Sequence, residues 1–231
     1  MTTGCLSRRE KSNQIRESDR LYLVNIYRAQ HLLHLLSSRL QVVTIMDGAV
    51  MGSGVLFGLN ATHSVVTERT YWGLPEVCRR GKQSRTVTQL NIEVSIAGMP
   101  DVGSLYHVLR LEDNLGKMLF LTGSRLRGSQ LLQAGLASHF CPSGELANLR
   151  RDMLATGGQP ARLRETLANY QEQAGADSQA ADFVEELRLK CATVYSSHDL
   201  LEIRENLRQL DTDWARAQLA ALSRGCPLSL R

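Results

Sequence analysis

Aromatic side chains are sparse in this 231-residue sequence, at 5% of the total, so a core has to be assembled mainly from Leu, Val, Ile and Ala. No apolar run approaches the roughly 20 residues that a membrane-spanning helix needs, and no membrane partner is expected. The N-terminus lacks the apolar stretch of a secretory signal, so secretion is not expected. Residues 1–20 carry Arg8, Arg9, Lys11 and Arg16, but also Glu10, Glu17 and Asp19, which speaks against a transit peptide. Asn60-Ala61-Thr62 fits a glycosylation acceptor, read as accidental without a signal peptide. The five cysteines (Cys5, Cys78, Cys141, Cys191, Cys226) are odd in number and form no CxxC pair. That pattern suits free thiols in a reducing compartment, not a disulfide framework or a zinc site. A net charge of +4 tolerates an anionic ligand but lacks the clustered basic character of a nucleic-acid protein, so no nucleic acid is expected. Internal repeats and low-complexity tracts are absent.

What is present is an ordinary globular composition, 43% hydrophobic and 22% charged, long enough for one sizeable core or one domain with an appendage. Residues 21–36 place Leu21, Val24, Tyr27, Leu32, Leu35 and Leu36 at mostly helical spacing. His31 and His34 lie one turn apart on that helix. A two-His metal pair is conceivable, but no third ligand is evident, and solvated or capping histidines are the better reading. Residues 41–46 form a β-branched run ending at Asp47-Gly48, a strand and turn. Residues 49–60 begin Gly-rich and turn apolar, as a loop feeding a helix does, and residues 64–67 read as a second buried strand. From Asp101 onward helices dominate. Asp113 is expected to cap a helix over 115–121 stopped by Thr122-Gly123, Ser129 to cap 130–134 before Gly135, and Ser197 to cap 199–210. Further helices are expected at 146–154, 161–173 and 182–192. Residues 78–95 open with Arg79, Arg80, Lys82 and Arg85 and then alternate with period two. They read as an exposed insert, with a phosphate contact as the alternative.

The most suggestive chemical element is the strand–glycine–helix run Asp47-Gly48-Ala49-Val50-Met51-Gly52-Ser53-Gly54. Glycines before a helix let a ligand approach the backbone. The unpaired amides of the first turn then face outward at the favourable end of the helix dipole. Such a turn suits an anion, or a carbonyl oxygen gathering charge in a transition state. Gly-rich turns also arise for packing alone. Two carboxylates follow beside prolines: Glu76 after Leu74-Pro75, and Asp101 after Met99-Pro100. In a fairly apolar setting desolvation raises a carboxyl pKa toward values useful for acid–base work. The alternative for each is a surface turn acid.

In order, MDGAVMGSGV, TERTYWGLPE, GMPDVG and LTGSRLRGSQLLQAGLASHF resemble the successive signatures of the 3-hydroxyisobutyryl-CoA hydrolases of the crotonase (enoyl-CoA hydratase/isomerase) superfamily. ENLRQL and CPLSL, further on, resemble that family's helical continuation. The resemblance implies an α/β fold with a crotonase-like (ClpP/crotonase) spiral of ββα turns, N-terminally incomplete, followed by a helical C-terminal region. The organisation implied is a helical segment over 1–40, a core over 41–140 with the insert at 78–95, and a helical region over 141–231. It implies hydrolysis of a short hydroxyacyl-CoA thioester in valine breakdown, with enoyl-CoA hydration or isomerisation, or an inactive binding partner, as the alternatives. Glu76 would attack the thioester or activate water, and Asp101 would stand near the substrate hydroxyl. The backbone amide of Ser53, beside Gly52, would polarise the carbonyl, although the family carries glycine at that position. An acyl-CoA substrate is implied, with no further cofactor and no metal. A homo-oligomer or pairing with a full-length homologue is expected. The family's location is mitochondrial, and a cytoplasmic one is the alternative.

Overall fold

The computed structural model describes residues 17–74 and 103–224. Helix α1 (Glu17–Ser37) covers the predicted helix and extends it by four residues at the N-terminal side. Strands β1 (Val43–Met46) and β2 (Ala49–Met51) then lead into α2 (Val55–Leu59). Strands β3 (His63–Val66) and β4 (Tyr71–Gly73) begin a second turn of the same kind, with α3 (Ser104–Val108) and α4 (Leu115–Thr122) following. β5 (Arg125–Arg127), α5 (Gln130–Gln133) and β6 (His139–Phe140) make the third. The strands stack into two three-stranded sheets, β1-β3-β6 and β2-β4-β5. The first is parallel throughout; in the second only β5 runs antiparallel.

β3 is central and buried along its length, whereas β1 lies at an edge and is mostly half-buried. Neighbouring side chains of a strand point to opposite faces. Val66 accordingly enters the main core with Met46, Val55, Trp72, Leu115 and Leu126. Val65 enters a second core with Cys141, Leu149, Leu163 and Tyr170. That outer core is closed by α6 (Leu146–Ala155) and α7 (Pro160–Ala174). Helices α8 (Ser178–Val194), α9 (Leu200–Leu210) and α10 (Asp213–Arg224) contribute Val184, Cys191, Ile203, Leu207, Ala215 and Leu222 to the main core. Helix α10 is an element that the sequence reading did not separate out.

The helices fall where the apolar spacing puts them, but their predicted caps differ. Asp113 has φ 56° in a short turn ahead of α4 and makes no cap bond; the residue before α4 is Asn114. Ser129 donates its hydroxyl to Asp177, and Asp177 itself caps α8 by accepting from the Ala180 amide at 3.0 Å. α9 is capped by Asp199, which accepts from Leu201 N–H at 2.8 Å, while Ser197 bonds Glu202. Ser197 still contributes just upstream, where its hydroxyl accepts from the Asp199 amide at 2.9 Å. α3 and α4 cross so closely that a Cβ on Gly116 would lie 1.7 Å from the Val108 carbonyl oxygen. Lys117 on α4 donates to the Tyr195 and Ser197 carbonyls at 2.6 and 3.0 Å, placing a cation at the C-terminal end of α8.

Candidate functional site

The glycine turn begins where β2 ends. Met51 is still extended (φ −137°, ψ 155°), and Gly52 then takes φ 57°, a left-handed conformation that a side chain would strain. Gly52–Gly54 form a single 3-10 turn that runs directly into α2. Gly52 is buried and Ser53 half-buried. The Ser53 amide lies in the first turn, where no intrahelical acceptor exists. The turn is held from outside: Gln30 Nε2, on α1, donates to the Ser53 carbonyl at 2.7 Å. Gln30 is 2% exposed, and its Oε1 is buried without a hydrogen-bond partner among the described residues.

A second set of contacts fixes the preceding turn. Arg69 pairs in a fork with both oxygens of Asp47, and Thr67 donates to the same carboxylate at 2.8 Å. These bonds, that from Arg69 first, hold the Asp47 carboxyl below the ordinary carboxylate range. Thr70 donates to the Met46 carbonyl at 2.5 Å and accepts from the Thr67 amide at 2.8 Å. Glu68 accepts from the Ser143 amide at 2.9 Å and from its hydroxyl, which lowers its pKa as well. The TERT motif is thus occupied in holding the turn at Asp47, between β1 and β2, and the segment at Ser143. Sequence reasoning had given these residues no individual role.

Gly52 and Ser53 stand at the start of α2. Glu76 and Asp101 lie outside the described residues, as does the segment 78–95. Of their chain neighbours, Leu74 is buried after β4, and Gly103 (φ 86°) immediately precedes α3. β4 runs parallel to β2 with Gly73 opposite Met51, so the end of β4 lies beside the glycine turn.

A cleft of about 670 Å³ opens between α1, the end of α2 and the start of α3. α1 lines it with Tyr27, Gln30, His31 and His34, and Asn60, Gly103, Tyr106 and His107 complete it. Asn60 Oδ1 is shared by His34 Nδ1 at 3.3 Å and His107 Nε2 at 3.2 Å. Burial, then the neighbouring His34 and Arg110, pushes the His107 pKa below the ordinary imidazole value. The sequence reading had noticed His31 and His34 but not Gln30, Asn60, Tyr106 or His107. The available signal was a polar stripe at 30, 31 and 34 in an otherwise leucine-rich helix. Among the described residues no group of three or more His, Cys, Asp or Glu side chains could hold a metal ion.

Comparison with known proteins gives this geometry its context. The family described as enoyl-CoA hydratase/isomerase matches residues 6–78 and 86–231. The human mitochondrial 3-hydroxyisobutyryl-CoA hydrolase is 32% identical over 190 residues, which is 82% of this chain and 45% of that protein. The rat mitochondrial 3-hydroxyisobutyryl-CoA hydrolase is 29% identical over 229 residues, 98% of this chain and 54% of that protein. The chain therefore spans about half the length of the curated relatives it matches. Among solved structures, a carnitinyl-CoA dehydratase from Mycobacterium thermoresistibile superposes with a TM-score of 0.70 at 26% identity, over 89% of this chain and 52% of that one.

Proposed function

The chain belongs to the enoyl-CoA hydratase/isomerase family, and from that premise we propose that it hydrolyses 3-hydroxyisobutyryl-CoA, a short hydroxyacyl-CoA thioester, to 3-hydroxyisobutyrate and CoA. The observation that carries the reading is the Gly52–Gly54 turn, with the Ser53 amide at the start of α2 and the end of β4 in register beside it. The thioester carbonyl accepts from the Ser53 amide, which favours the tetrahedral oxyanion over the flat ground state. Glu76 removes a proton from the attacking water as its oxygen bonds to the carbonyl carbon; collapse breaks the carbon–sulfur bond and releases CoA, which takes up the proton. Attack by the Glu76 carboxylate itself, through an anhydride that water then opens, gives the same products. Asp101 orients the substrate hydroxyl and the attacking group. The chemistry requires no metal and no cofactor besides the CoA carried by the substrate.

Valine catabolism in the mitochondrion is the setting that fits, because the curated relatives are named as mitochondrial 3-hydroxyisobutyryl-CoA hydrolases. The half-exposed Leu32, Leu35 and Leu36 on α1 support association with a second copy or with a full-length homologue, which sedimentation would detect. The direct test is release of free CoA thiol from 3-hydroxyisobutyryl-CoA, compared with Glu76→Gln. Turnover no faster than in that variant ends the hydrolase reading. Likeness to a carnitinyl-CoA dehydratase favours a second reading, hydration of an enoyl-CoA. Conversion of crotonyl-CoA to a hydroxyacyl product without thiol release would select it.

A further inference from the structure

The outer face of the first sheet carries two histidines that the thioester reading leaves unused. His63 stands two residues before Val65 on β3, and His139 on β6 lies opposite Val65, so the three side chains share one face. The two imidazole rings meet edge to face with centroids 5.5 Å apart. His63 is buried, and α7 covers this face with Leu163, Leu167 and Tyr170. Glycines in left-handed backbone stand at both ends of α7, Gly157 (φ 61°) and Gly158 (φ 77°) before it and Gly175 (φ 77°) after it. Such residues at element ends are where a helix swings as a unit.

Hydrogen bonds fix where each ring keeps its proton. His63 Nε2 donates to Gln41 Oε1 at 2.9 Å, which leaves the lone pair on Nδ1. Ser138 Oγ donates to the Ser64 carbonyl at 3.1 Å, so it accepts from His139 Nδ1 at 2.8 Å. His139 Nε2 is therefore the second bare nitrogen. A proton added at either one meets no hydrogen-bond acceptor among the described residues. Burial, and then Arg164 on α7, lowers the His63 pKa; burial, and then His63, lowers that of His139. The acids around this face are engaged elsewhere: Asp152 accepts from Tyr170, Glu145 from Asn148 and Glu68 from Ser143. β1 contributes the apolar Val43 and Ile45, and α6 contributes Leu146, Leu149 and Met153. A charged pair would thus face a third cation in Arg164 and no counter-charge.

We propose that His63 and His139 form a proton-operated latch: neutral, they hold α7 against the sheet, and charged, they drive it outward on its flanking glycines. This latch stands independently of the thioester reading. Closed rings hold protons less well than an open ring at the ordinary 6.5. Closure is therefore complete above that value and is lost as pH falls from it through the folded-state values. The experiment is hydrogen exchange read by mass spectrometry on the full chain, at about pH 7.5 and about pH 5.5, with intrinsic exchange rates divided out. Opening of α7 should increase by roughly tenfold per pH unit for each proton taken up, while α9, in the main core, keeps its protection. His139→Asn should lower the slope by one proton. Arg164→Glu, at an exposed position, supplies a counter-charge and should flatten the slope without altering the fold at neutral pH, which circular dichroism verifies. Protection of α7 that changes with pH no more than that of α9 overturns the latch. A slope undiminished in both His139→Asn and Arg164→Glu overturns it as well, because the titrating groups then lie elsewhere. If His139→Asn does not fold, the slope in Arg164→Glu alone decides.

Discussion

Gln30 combines two opposing contributions in one side chain. Its Nε2 bond to the Ser53 carbonyl stabilises the turn by about 1 kcal/mol, while leaving Oε1 buried without a partner costs about 1–3 kcal/mol. Gln30→Met removes both and keeps the volume, so global stability should stay within about 1 kcal/mol of the unaltered protein. Activity should respond differently, because the turn that aims the Ser53 amide would lose its tether. A fall in kcat on the order of ten- to a hundredfold at unchanged melting temperature is the expected result, and equal losses in both would refute a positioning role. Asp47 illustrates charge at the same scale. Arg69 and Thr67 hold its folded-state pKa below the ordinary 3.8, so its contribution is complete above that value and is lost as pH falls through the folded-state pKa. Acid titration monitored by circular dichroism should show Asp47→Asn less stable at neutral pH. The gap between the two proteins should then close below about pH 4.

At the scale of elements, the α3–α4 crossing is the least forgiving contact. A methyl group on Gly116 would overlap the Val108 carbonyl, a backbone atom that cannot rotate aside. Gly116→Ala should therefore destabilise by on the order of 3 kcal/mol, measured by urea unfolding, although alanine ordinarily improves a helix. Nothing local in the sequence marks this glycine, since the clash comes from a different helix. The longer helices were legible, because leucine and alanine at three-to-four spacing is a property of the segment itself. Tyr71–Gly73, Arg125–Arg127 and His139–Phe140 were not, because two or three residues cannot display a period of two. The predicted serine caps were displaced by aspartates: Ser129 donates to Asp177, and Asp199 caps α9 two residues after Ser197. The glycine turn could be read directly, since its composition encodes its geometry. The cleft could not, because its walls come from three segments that only the fold brings together.

For the molecule as a whole, the strands and the three last described helices share one apolar cluster. Trp72 is wholly buried between β4 and its neighbours, and Trp214 on α10 packs against the same cluster. Elements that share a core lose their packing together. In Trp214→Phe, where Trp72 is the remaining tryptophan, the fluorescence melt should coincide with the loss of helical circular dichroism. Two separated transitions would show that the helical region melts on its own. Strand β3 divides this cluster from the outer one, with Val66 on one side and Val65 on the other, and each compartment contains a buried thiol. Burial, its largest cause in each case, raises Cys191 in the main core to about 12 and Cys141 in the outer core to about 11. Both are therefore silent toward alkylating reagents until their compartment opens. The two sulfurs act as independent clocks of breathing on either side of a single strand. With only α6 and α7 to lift away, the clock at Cys141 should run faster, and peptide mass spectrometry after timed alkylation reads both.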